Sequence, residues 1–492
     1  MHYFHKKRAF ARNWRQRVWP FAVFLLSLQG ISHTWTATDD NRPSHAMATT
    51  NETRHHMSYR IEAPKTLDTT IILPASKSIS NRALIISALA KSSLLPENLS
   101  DCDDTEVMVK ALKSTFDTTV RQELPASEPV FTPASQAKEE PTVIDIGAAG
   151  TAMRFLTAYF AVSPGSYLLT GSKRMKQRPI GILVDALRYL GADIEYEERE
   201  GYPPLRIRGR RLSGGHIDVD AGISSQFISA LLMIGPVLDK GLELHMTGEI
   251  ASRPYIDLTL NVMHSYGAQA DWTEVDTVSV KPKPYTPCHY FIESDWTSAS
   301  YWYEALALCD DYEATLTLKG LKDGSRQGDS MARYIFSMMG VKTAFTDATT
   351  VKLTRHLRTL PRLDYDFKNS PDLTQTLVAA CGALQMPFNF KGLASLRIKE
   401  TDRIKALCTE MRKIGVNLVA KDNELSYSTQ PQEWQETTPV FDTYDDHRMA
   451  LSLAPLAMKY GSVIINNPEV VTKSYPDFWN DLGKAGFNIE ET

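Results

Sequence analysis

The chain has 492 residues, of which 43% are hydrophobic and 23% charged, and its formal net charge at pH 7 is −4. This composition is typical of a soluble globular protein of two or three domains, and it excludes disordered and fibrous chains. Because binding to a nucleic-acid backbone requires a basic excess, the charge balance also argues against a nucleic-acid partner. Any anion site must therefore be local.

Residues 1–57 differ from the rest of the sequence. The stretch HKKRAFARNWRQRVWPFAVFLLSLQG places a basic leader before the apolar run Trp19–Leu28, which is typical of a secretory signal but too short to cross a bilayer. The alternative is that the chain truly starts at Met47 or Met57 and that the upstream residues are an over-extended reading frame. In either case we predict a disordered N-terminal extension.

Six segments with apolar residues at helical spacing begin at small or acidic residues. Their first residues, 72, 74, 74, 74 and 74 positions apart, are Ser78, Gly150, Ser224, Ser298, Asp372 and Asp446. A second series of helix-like segments runs in phase with the first and starts with DDTEVMVKALKSTF. Its other five members end near glycines that lead into strand-like stretches, namely Gly191, Gly267, Gly340, Gly415 and Gly486.

This periodicity predicts the fold class. An α/β unit of about 75 residues is repeated six times, and such units are expected to pack as two domains of three units each. The longest polar interruption, residues 121–141, falls inside the first unit and is predicted to be an exposed loop or hairpin insertion.

The sequence has five cysteines, and their spacing forms no CxxC pair and no Cys/His cluster. They are Cys102, Cys288, Cys309, Cys381 and Cys408. This scatter predicts buried free thiols rather than a disulfide framework or a zinc site.

Eight cationic side chains lie at or within a turn of predicted helix beginnings. They are Lys77, Arg82, Arg154, Arg178, Lys399, Arg403, Arg448 and Lys473. Helix beginnings present unpaired N–H groups and the positive end of the dipole, which disfavours cations there. The pattern predicts fixed donors for a multiply charged anion. For each cation alone the alternative is a surface salt bridge, and the serines of LPASKS are expected to cap their helix.

Two carboxylates accompany the cations. Asp372 opens a helix after Pro371, and Glu400 lies in LRIKETDR between Lys399 and Arg403. A carboxylate among cations is ionised, and so it is available as a base or, once protonated, as an acid. The alternatives are an N-cap for Asp372 and an intrahelical ion pair for Glu400.

Several common catalytic motifs are absent from the sequence. The residues before Lys77, IILPAS, lack the glycines of a GxxxxGK[ST] phosphate loop. The sequence also has no GxGxxG, HExxH or GxSxG motif, so dinucleotide, metalloprotease and α/β-hydrolase functions lose their usual support.

Eight stretches together resemble the 5-enolpyruvylshikimate-3-phosphate synthase family. They occur in order from about Met57 to the C-terminus and read LPASKSISNRALIISALA, GAAGTAMRFL, RMKQRPIGILVDAL, SSQFISALLM, SRPYIDLTL, LRIKETDRI, DDHRMA and VTKSYPDF. The resemblance implies an enolpyruvyl-transferase-like fold of two domains, each with three pseudo-symmetric units. A discontinuous domain would comprise residues 58–75 and 295–492, and an inserted domain would comprise residues 76–294.

The resemblance also implies the reaction. The enolpyruvyl group of phosphoenolpyruvate would pass to the 5-hydroxyl of shikimate 3-phosphate with release of phosphate, without a metal or organic cofactor. The expected partners are these two small molecules, with no nucleic acid and no membrane, and a cytoplasmic monomer is expected.

Site residues follow from the matching motifs. Shikimate 3-phosphate is expected at Lys77, Ser78, Arg82, Ser224, Ser225, Gln226, Ser252, Asp372 and Lys399. Phosphoenolpyruvate is expected at Lys77, Gly150, Arg178, Gln226, Arg403, Arg448 and Lys473. Asp372 corresponds to the family's proton acceptor for the 5-hydroxyl and Glu400 to its proton donor to the methylene carbon, with Lys77 between the two substrates.

The sequence departs from the common family pattern at four positions. Ala75 replaces a frequent Gly, Ala148 an Asn, Phe155 a Pro, and Ser395 an Asn. Ala148 and Phe155 adjoin the expected phosphoenolpyruvate site, so the resemblance gives no prediction of sensitivity to the family's inhibitor glyphosate. The nearest rival is the sister enzyme that uses UDP-N-acetylglucosamine, although no cysteine matches its usual acid. A non-catalytic secreted scaffold is a rival of another class.

Overall fold

The computed structural model describes residues 57–120, 140–222, 224–429 and 437–492. The predicted N-terminal extension therefore lies outside the described residues, except for Met57. Most of the predicted insertion at 121–141 also lies outside them.

Thirteen α-helices occur in these ranges. They are α1 (Lys77–Leu89), α2 (Asp103–Val120), α3 (Gly150–Val162), α4 (Gly181–Tyr189), α5 (Ser225–Ile234), α6 (Arg253–Ser265), α7 (Trp296–Leu308), α8 (Ala332–Met338), α9 (Thr374–Ala383), α10 (Arg403–Arg412), α11 (His447–Leu453), α12 (Ala457–Tyr460) and α13 (Phe478–Lys484). Both predicted helical series are present. The first comprises α1, α3, α5, α7, α9 and α11, and each begins within two residues of its predicted start.

The two series differ because their sequences differ. First-series helices such as α5 are apolar on nearly every side and are buried accordingly. Second-series helices such as α4 are amphipathic and bury one face. All five predicted glycines adopt positive φ, for example +103° at Gly191, which lets the chain reverse into the next strand.

Twenty strands lie in the same ranges. They are β1 (Ser58–Glu62), β2 (Asp68–Ile72), β3 (Thr142–Asp145), β4 (Gly165–Thr170), β5 (Asp193–Tyr196), β6 (Leu205–Gly209), β7 (Gly215–Asp220), β8 (Leu242–Thr247), β9 (Ala270–Trp272), β10 (Thr277–Val280), β11 (Thr315–Lys319), β12 (Val341–Phe345), β13 (Thr350–Arg355), β14 (Leu363–Asp366), β15 (Phe388–Lys391), β16 (Val419–Ala420), β17 (Glu424–Tyr427), β18 (Val440–Phe441), β19 (Ser462–Asn466) and β20 (Asn488–Glu491).

The described strands form five four-stranded sheets. Their strand orders are β18-β19-β1-β20, β7-β8-β10-β9, β12-β13-β11-β2, β14-β15-β17-β16 and β3-β4-β6-β5. Each sheet combines one parallel pair with two antiparallel pairs, and the register of the β7–β8 pair runs from Gly215 opposite Leu242 to Asp220 opposite Thr247. In four of the five described sheets a first-series helix connects the parallel strands, as α3 does between β3 and β4. In the fifth, the parallel strands β2 and β11 are separated by residues 73–314. The predicted α/β repeat is confirmed.

Two separate hydrophobic cores organise the described residues. One contains residues of the ranges 61–73 and 296–487, and the other contains residues of the range 75–292. The chain crosses from one core to the other near Ala75 and again near Ser294, and these two residues form an antiparallel bridge. The domain boundaries proposed from sequence stay a prediction.

The five cysteines are free, and Cys102, Cys309 and Cys381 are buried, whereas Cys288 and Cys408 are half-buried. Burial raises the pKa of the Cys381 thiol, which disfavours its reactive thiolate. Within the described ranges, no helix combines the length and the hydrophobicity needed to cross a bilayer.

Candidate active site

A polar cavity lies where the helix beginnings of the two cores meet. Fourteen of the fifteen residues predicted from the sequence line it, namely Lys77, Ser78, Arg82, Gly150, Arg178, Ser224, Ser225, Gln226, Ser252, Asp372, Lys399, Glu400, Arg403 and Arg448. The fifteenth, Lys473, lies beside the cavity with its Nζ 3.7 Å from Glu400 Oε1. Among the described lining residues, seven Lys and Arg side chains face three carboxylates. The cavity is therefore strongly cationic in a chain that is acidic as a whole.

The start of α1 places Lys77 in the cavity. Ser76 occupies the N-cap position, but its hydroxyl makes no capping hydrogen bond, so the expectation that this serine caps the helix is wrong. Lys77 Nζ donates to Asp104 Oδ2 at 3.1 Å. Burial favours the neutral amine, but Asp104 and the other nearby acidic groups, Cys102 and Glu400, together outweigh it and raise the pKa of Lys77. Lys77 is therefore a fixed positive charge.

Arg82 is a buried guanidinium whose hydrogen bonds go to neutral groups. Its Nε donates to Thr259 Oγ1 at 2.7 Å, and a second nitrogen donates to the Ser78 carbonyl at 2.8 Å. The guanidinium also lies 5.3 Å from the ring centroid of Phe155. Burial lowers the pKa of Arg82 to about 10. A buried cation without a carboxylate partner in the described residues is a natural anion receptor.

Gly150, the first residue of α3, permits the close approach of Arg178. A Cβ at Gly150 would lie 2.6 Å from Arg178 Nη1. The Arg178 guanidinium lies 3.7 Å from Glu400 Oε1, and its Nε is buried without a hydrogen-bond partner in the described residues. Arg154 lies in the same region, where burial and the charge of Arg178 lower its pKa.

The start of α5 contributes short polar side chains. Ser224 is a true N-cap, since its Oγ accepts from the Gln226 N–H at 3.3 Å. The Gln226 side chain donates to Thr151 Oγ1 at 3.1 Å, which joins the beginnings of α3 and α5. Ser252 precedes α6 with a left-handed φ of 56°, and its N–H donates to the Lys368 carbonyl at 2.9 Å across the two cores.

Asp372 does not act as a helix cap. It lies in a 3-10 turn over Pro371–Leu373, so its carboxylate remains available to the cavity. Its oxygens accept from Arg448 at 2.8 Å, from Arg403 at 3.3 Å and from the Tyr255 hydroxyl at 3.2 Å. Burial favours the protonated acid, but Arg448 and the other nearby cations outweigh it and hold the pKa of Asp372 well below its usual range. Asp372 is therefore an ionised base.

Asp329 is a second carboxylate behind Asp372. Its side chain accepts hydrogen bonds from Thr297 and, at 3.5 Å, from the Tyr255 hydroxyl. Burial, together with the charge of Asp372, raises the pKa of Asp329 to about 7. Two carboxylates linked through one phenol thus differ in proton affinity, so that Asp372 is ionised at neutral pH whereas Asp329 titrates there.

Glu400 precedes α10 rather than lying within it. Its carboxylate contacts Arg403 at 2.9 Å, Arg178 at 3.7 Å and Lys473 at 3.7 Å. An intrahelical ion pair therefore does not describe Glu400, because its cations come from three separate segments. Burial favours the protonated acid, but Arg403, Lys473 and Arg178 outweigh it and hold the pKa of Glu400 well below its usual range.

The remaining cations are fixed by further contacts. Arg403 binds Asp446 through Nε at 2.7 Å and through a second nitrogen at 3.2 Å, and Asp446 also caps α11 through the Arg448 N–H. Burial lowers the pKa of Lys399, and the nearby Asp372 carboxylate offsets this only in part. Lys473 ends a 3-10 segment rather than beginning a helix, which corrects that expectation, and its Nζ donates to the Ala148 carbonyl at 2.6 Å.

Sequence reasoning missed three lining residues with clear chemical character. Asp104 lies between Lys77 and Lys473, and Tyr255 joins two carboxylates. His447 is buried, and neither ring nitrogen has a hydrogen-bond partner within the described residues, although Nδ1 lies 3.6 Å from Asp446 Oδ1. Burial, with the charges of Lys77 and Arg448, lowers the pKa of His447 well below 6.5, so the ring is neutral. The available signals were the stretches DDTEVM, SRPYIDLTL and DDHRMA, which contain Asp104, Tyr255 and His447, respectively.

Three of the residues that depart from the common family pattern lie in or beside the cavity. Ser395 lines the cavity, and Phe155 lies beneath Arg82. Ala148 contributes its backbone carbonyl to Lys473. In the described residues, no group of His, Cys, Asp and Glu side chains has an arrangement that could hold a metal ion.

Comparisons with known proteins agree with these features. The family model for EPSP synthase (3-phosphoshikimate 1-carboxyvinyltransferase) matches residues 61–482. A 3-phosphoshikimate 1-carboxyvinyltransferase from Bacteroides fragilis is 52% identical over 435 residues, which are 88% of this chain and 99% of the relative. One from Aliivibrio salmonicida is 36% identical over 425 residues, 85% of this chain and 96% of the relative.

Solved structures share the fold. EPSP synthase from Acinetobacter baumannii superposes with a TM-score of 0.68 at 19% identity, covering 89% of this chain and 100% of that one. The enolpyruvyl transferase NikO from Streptomyces tendae gives a TM-score of 0.65 at 17% identity, covering 89% and 99%. These neighbours identify the architecture of the two cores as the enolpyruvyl transferase fold.

Proposed function

Since the chain belongs to the EPSP synthase (3-phosphoshikimate 1-carboxyvinyltransferase) family, we propose that its cavity transfers the enolpyruvyl group of phosphoenolpyruvate to the 5-hydroxyl of shikimate 3-phosphate and releases phosphate. The observation that supports this most strongly is the cavity's charge, with seven described cationic side chains facing three carboxylates. Two substrates that each carry a phosphate and a carboxylate need such an excess of fixed positive charge.

Shikimate 3-phosphate binds mainly the beginnings of α1, α5 and α6. Lys77 and Arg82 supply positive charge, and a set of short polar side chains supplies directional hydrogen bonds. These side chains are Ser78, Ser224, Ser225, Gln226 and Ser252. Asp372 and Lys399 complete the site from the opposite core. Arg82 has no carboxylate partner among the described residues, so an incoming phosphate can pair with its positive charge without first breaking an ion pair.

Phosphoenolpyruvate binds the other side of the cavity, against a set of mostly cationic residues. They are Lys77, Gly150, Arg178, Gln226, Arg403, Arg448 and Lys473. Glu400 lies among three of these cations, within 3.7 Å of Arg178 and Lys473 and 2.9 Å of Arg403. The phosphate and carboxylate of the substrate therefore approach the proton donor directly.

Asp372 takes the proton of the 5-hydroxyl as its oxygen attacks the central carbon of phosphoenolpyruvate. Glu400 gives a proton to the methylene carbon, so the addition produces a methyl group and a tetrahedral carbon bearing phosphate. Loss of a methyl proton to Glu400 then restores the double bond and expels phosphate. Lys77, Arg178 and Arg448 stabilise the negative charge throughout.

Glu400 must be protonated to begin this sequence, whereas the free protein holds it ionised. Bound phosphoenolpyruvate resolves the conflict, because its negative charges neutralise the Arg178, Arg403 and Lys473 cations that depress the pKa of Glu400. Its pKa rises when those cations are neutralised, and it then acquires a proton. Asp372 also faces Arg403 and Arg448, but it keeps the charge of Lys399 and the hydrogen bond from the Tyr255 hydroxyl, and so it remains a base.

We also propose that residues 58–75 and 295–492 form one domain, that residues 76–294 form the other, and that the two close around the substrates. The separate cores and the two-sided cavity support this division. A monomer is supported by the contribution of both sides of the cavity from one chain. A cytoplasmic location follows from the substrates, which are intracellular metabolites.

A phosphate-release assay tests the proposed reaction. The chain is incubated with phosphoenolpyruvate and shikimate 3-phosphate, and in parallel with phosphoenolpyruvate and UDP-N-acetylglucosamine. Release is expected only with the first pair. Release with the second pair would identify the sister activity instead, and release with neither would favour a non-catalytic scaffold.

A further inference from the structure

Arg174 makes a contact between the two cores beside the cavity. Its Nε donates to the Glu400 carbonyl at 3.2 Å, and its Nη2 donates to the Lys399 carbonyl at 3.0 Å. Arg174 belongs to the segment between β4 and α4, whereas Lys399 and Glu400 precede α10. The two partners are 225 and 226 positions away in the sequence. One guanidinium thus donates hydrogen bonds to the carbonyls of two consecutive residues of the opposite core.

The segment around Arg174 is held in a fixed shape. Residues Met175–Gln177 form a 3-10 turn, the Lys176 N–H donates to the Ser172 carbonyl at 3.0 Å, and the Met175 side chain is buried. This turn also places Arg178 near the Glu400 carboxylate, at 3.7 Å. The same turn therefore contacts Glu400 twice, through its backbone by Arg174 and through its side chain by Arg178.

The contacts of Arg174 differ in kind from those of the cavity cations. Arg178, Arg403 and Lys473 contact the Glu400 carboxylate and lower its pKa, whereas Arg174, among the described residues, donates only to backbone carbonyls. Arg174 is not among the residues that line the cavity. Its planar guanidinium can span two neighbouring acceptors, which a lysine ammonium cannot do with the same geometry.

We propose that Arg174 is a positioning residue for the proton donor, an inference that rests on the proposed function. Its two hydrogen bonds fix the Lys399–Glu400 backbone against the turn that bears Arg178, so the Glu400 carboxyl group meets the methylene carbon of phosphoenolpyruvate in one orientation. A small misplacement of a proton donor lowers the rate of proton transfer far more than it lowers substrate binding.

The test compares Arg174→Ala, Arg174→Lys and the control Lys173→Ala. Lys173 is the exposed neighbour of Arg174 on the same turn and does not line the cavity. Arg174→Ala is expected to lower kcat by roughly 10- to 100-fold, the loss typical of two hydrogen bonds from a charged donor. The KM for shikimate 3-phosphate should change by less than about threefold, because most of its contacts lie elsewhere. Arg174→Lys should recover part of kcat, and Lys173→Ala should match the parent chain.

Two further measurements separate positioning from a general structural role. The melting temperature of Arg174→Ala should equal that of the parent, because Arg174 is exposed and belongs to neither core. Hydrogen exchange of residues 394–402, measured with both substrates present, should be faster in Arg174→Ala and unchanged in Lys173→Ala.

An unaltered kcat in Arg174→Ala overturns the proposal. So does a loss of kcat that is accompanied by a clearly lower melting temperature, or by a rise in the KM for shikimate 3-phosphate as large as the fall in kcat. Failure of the proposed function is distinguishable, because the parent chain itself would then release no phosphate from the two substrates.

Discussion

Asp372 and Glu400 are both partly buried carboxylates that remain ionised because cations surround them. Their surroundings differ in one respect, which separates their roles. Asp372 also accepts a hydrogen bond from the Tyr255 phenol, whereas Glu400 depends on three cations that phosphoenolpyruvate is proposed to neutralise. Under the proposed function, Asp372 is therefore ionised before substrate binds, whereas Glu400 gains its proton only when phosphoenolpyruvate is bound.

Replacement of either carboxylate by its amide removes proton transfer and retains the size of the side chain. We predict that Asp372→Asn and Glu400→Gln each lower kcat by about 10²- to 10⁴-fold, the usual contribution of general acid–base catalysis. Circular dichroism should show an unchanged fold. Asp364→Asn is the matched control, since Asp364 is exposed and pairs with Arg362 at 2.8 Å. Near-normal phosphate release by both variants would contradict the assigned roles.

Asp329 gives a prediction about pH. Burial and the Asp372 charge raise its folded-state pKa to about 7, above the value of 3.8 for an ordinary Asp. Between these values the folded protein holds a proton that the unfolded chain releases, so this group's stabilising contribution is present at low pH and is lost as pH rises to about 7. Asp329→Asn should therefore gain stability relative to the parent as pH increases.

Thermal melts of Asp329→Asn and the parent, recorded from pH 5.5 to 8.5, measure this effect. As pH rises, the melting temperature of the variant should increase by a few degrees relative to that of the parent. This corresponds to a relative change in the free energy of unfolding on the order of 1–2 kcal/mol. Asp323→Asn serves as the control, because a hydrogen bond from Arg333 lowers the pKa of this exposed carboxyl group and keeps its titration below the window. A constant difference across the pH range would refute the raised pKa of Asp329.

The first-series helices act as elements through their N-terminal ends. The sequence period located all six helices, because each repeat retains the apolar spacing and the small or acidic residue at its start. The contacts made by those first residues were less predictable. Ser224 and Asp446 cap their helices, but Ser76 does not, and Asp372 lies in a 3-10 turn. Capping depends on local backbone angles, which residue type alone does not determine.

The start of α3 provides a prediction at this scale. Gly150→Ala would place a Cβ 2.6 Å from Arg178 Nη1, the flexible end of a side chain, so the guanidinium should move while the fold remains intact. We predict that the KM for phosphoenolpyruvate rises about tenfold or more, with a melting temperature within a few degrees of the parent.

Gly181→Ala is a close control, because Gly181 opens α4 and its added Cβ would meet Gly201 Cα at an ordinary 3.5 Å. The control should leave the KM for phosphoenolpyruvate unchanged. An unchanged KM in Gly150→Ala would contradict the prediction, because it would show that the added Cβ does not displace the Arg178 guanidinium from the position in which it binds phosphoenolpyruvate.

At the scale of the whole molecule, the cavity exists because the chain leaves one core, builds the other and returns. The repeats and the motifs were sufficient to predict the α/β class and the residues expected at the site. Tyr255 and Arg174 lie in the quoted stretches SRPYIDLTL and RMKQRPIGILVDAL, but neither the motifs nor the repeats indicated what these residues or Asp329 contact across the two cores. Tyr255 and Asp372, for example, are 117 positions apart, and no periodic pattern links them.

Both cores contribute residues to the cavity, and in the proposed reaction Glu400 converts the methylene group to a methyl group and then removes a proton from it. Proton NMR of the product formed from phosphoenolpyruvate and shikimate 3-phosphate in D₂O tests this most directly. The account predicts deuterium in the vinyl group of the product, because a methyl group that received deuterium loses either isotope when phosphate departs. Product formed at full turnover with no deuterium in its vinyl group would contradict the addition–elimination mechanism.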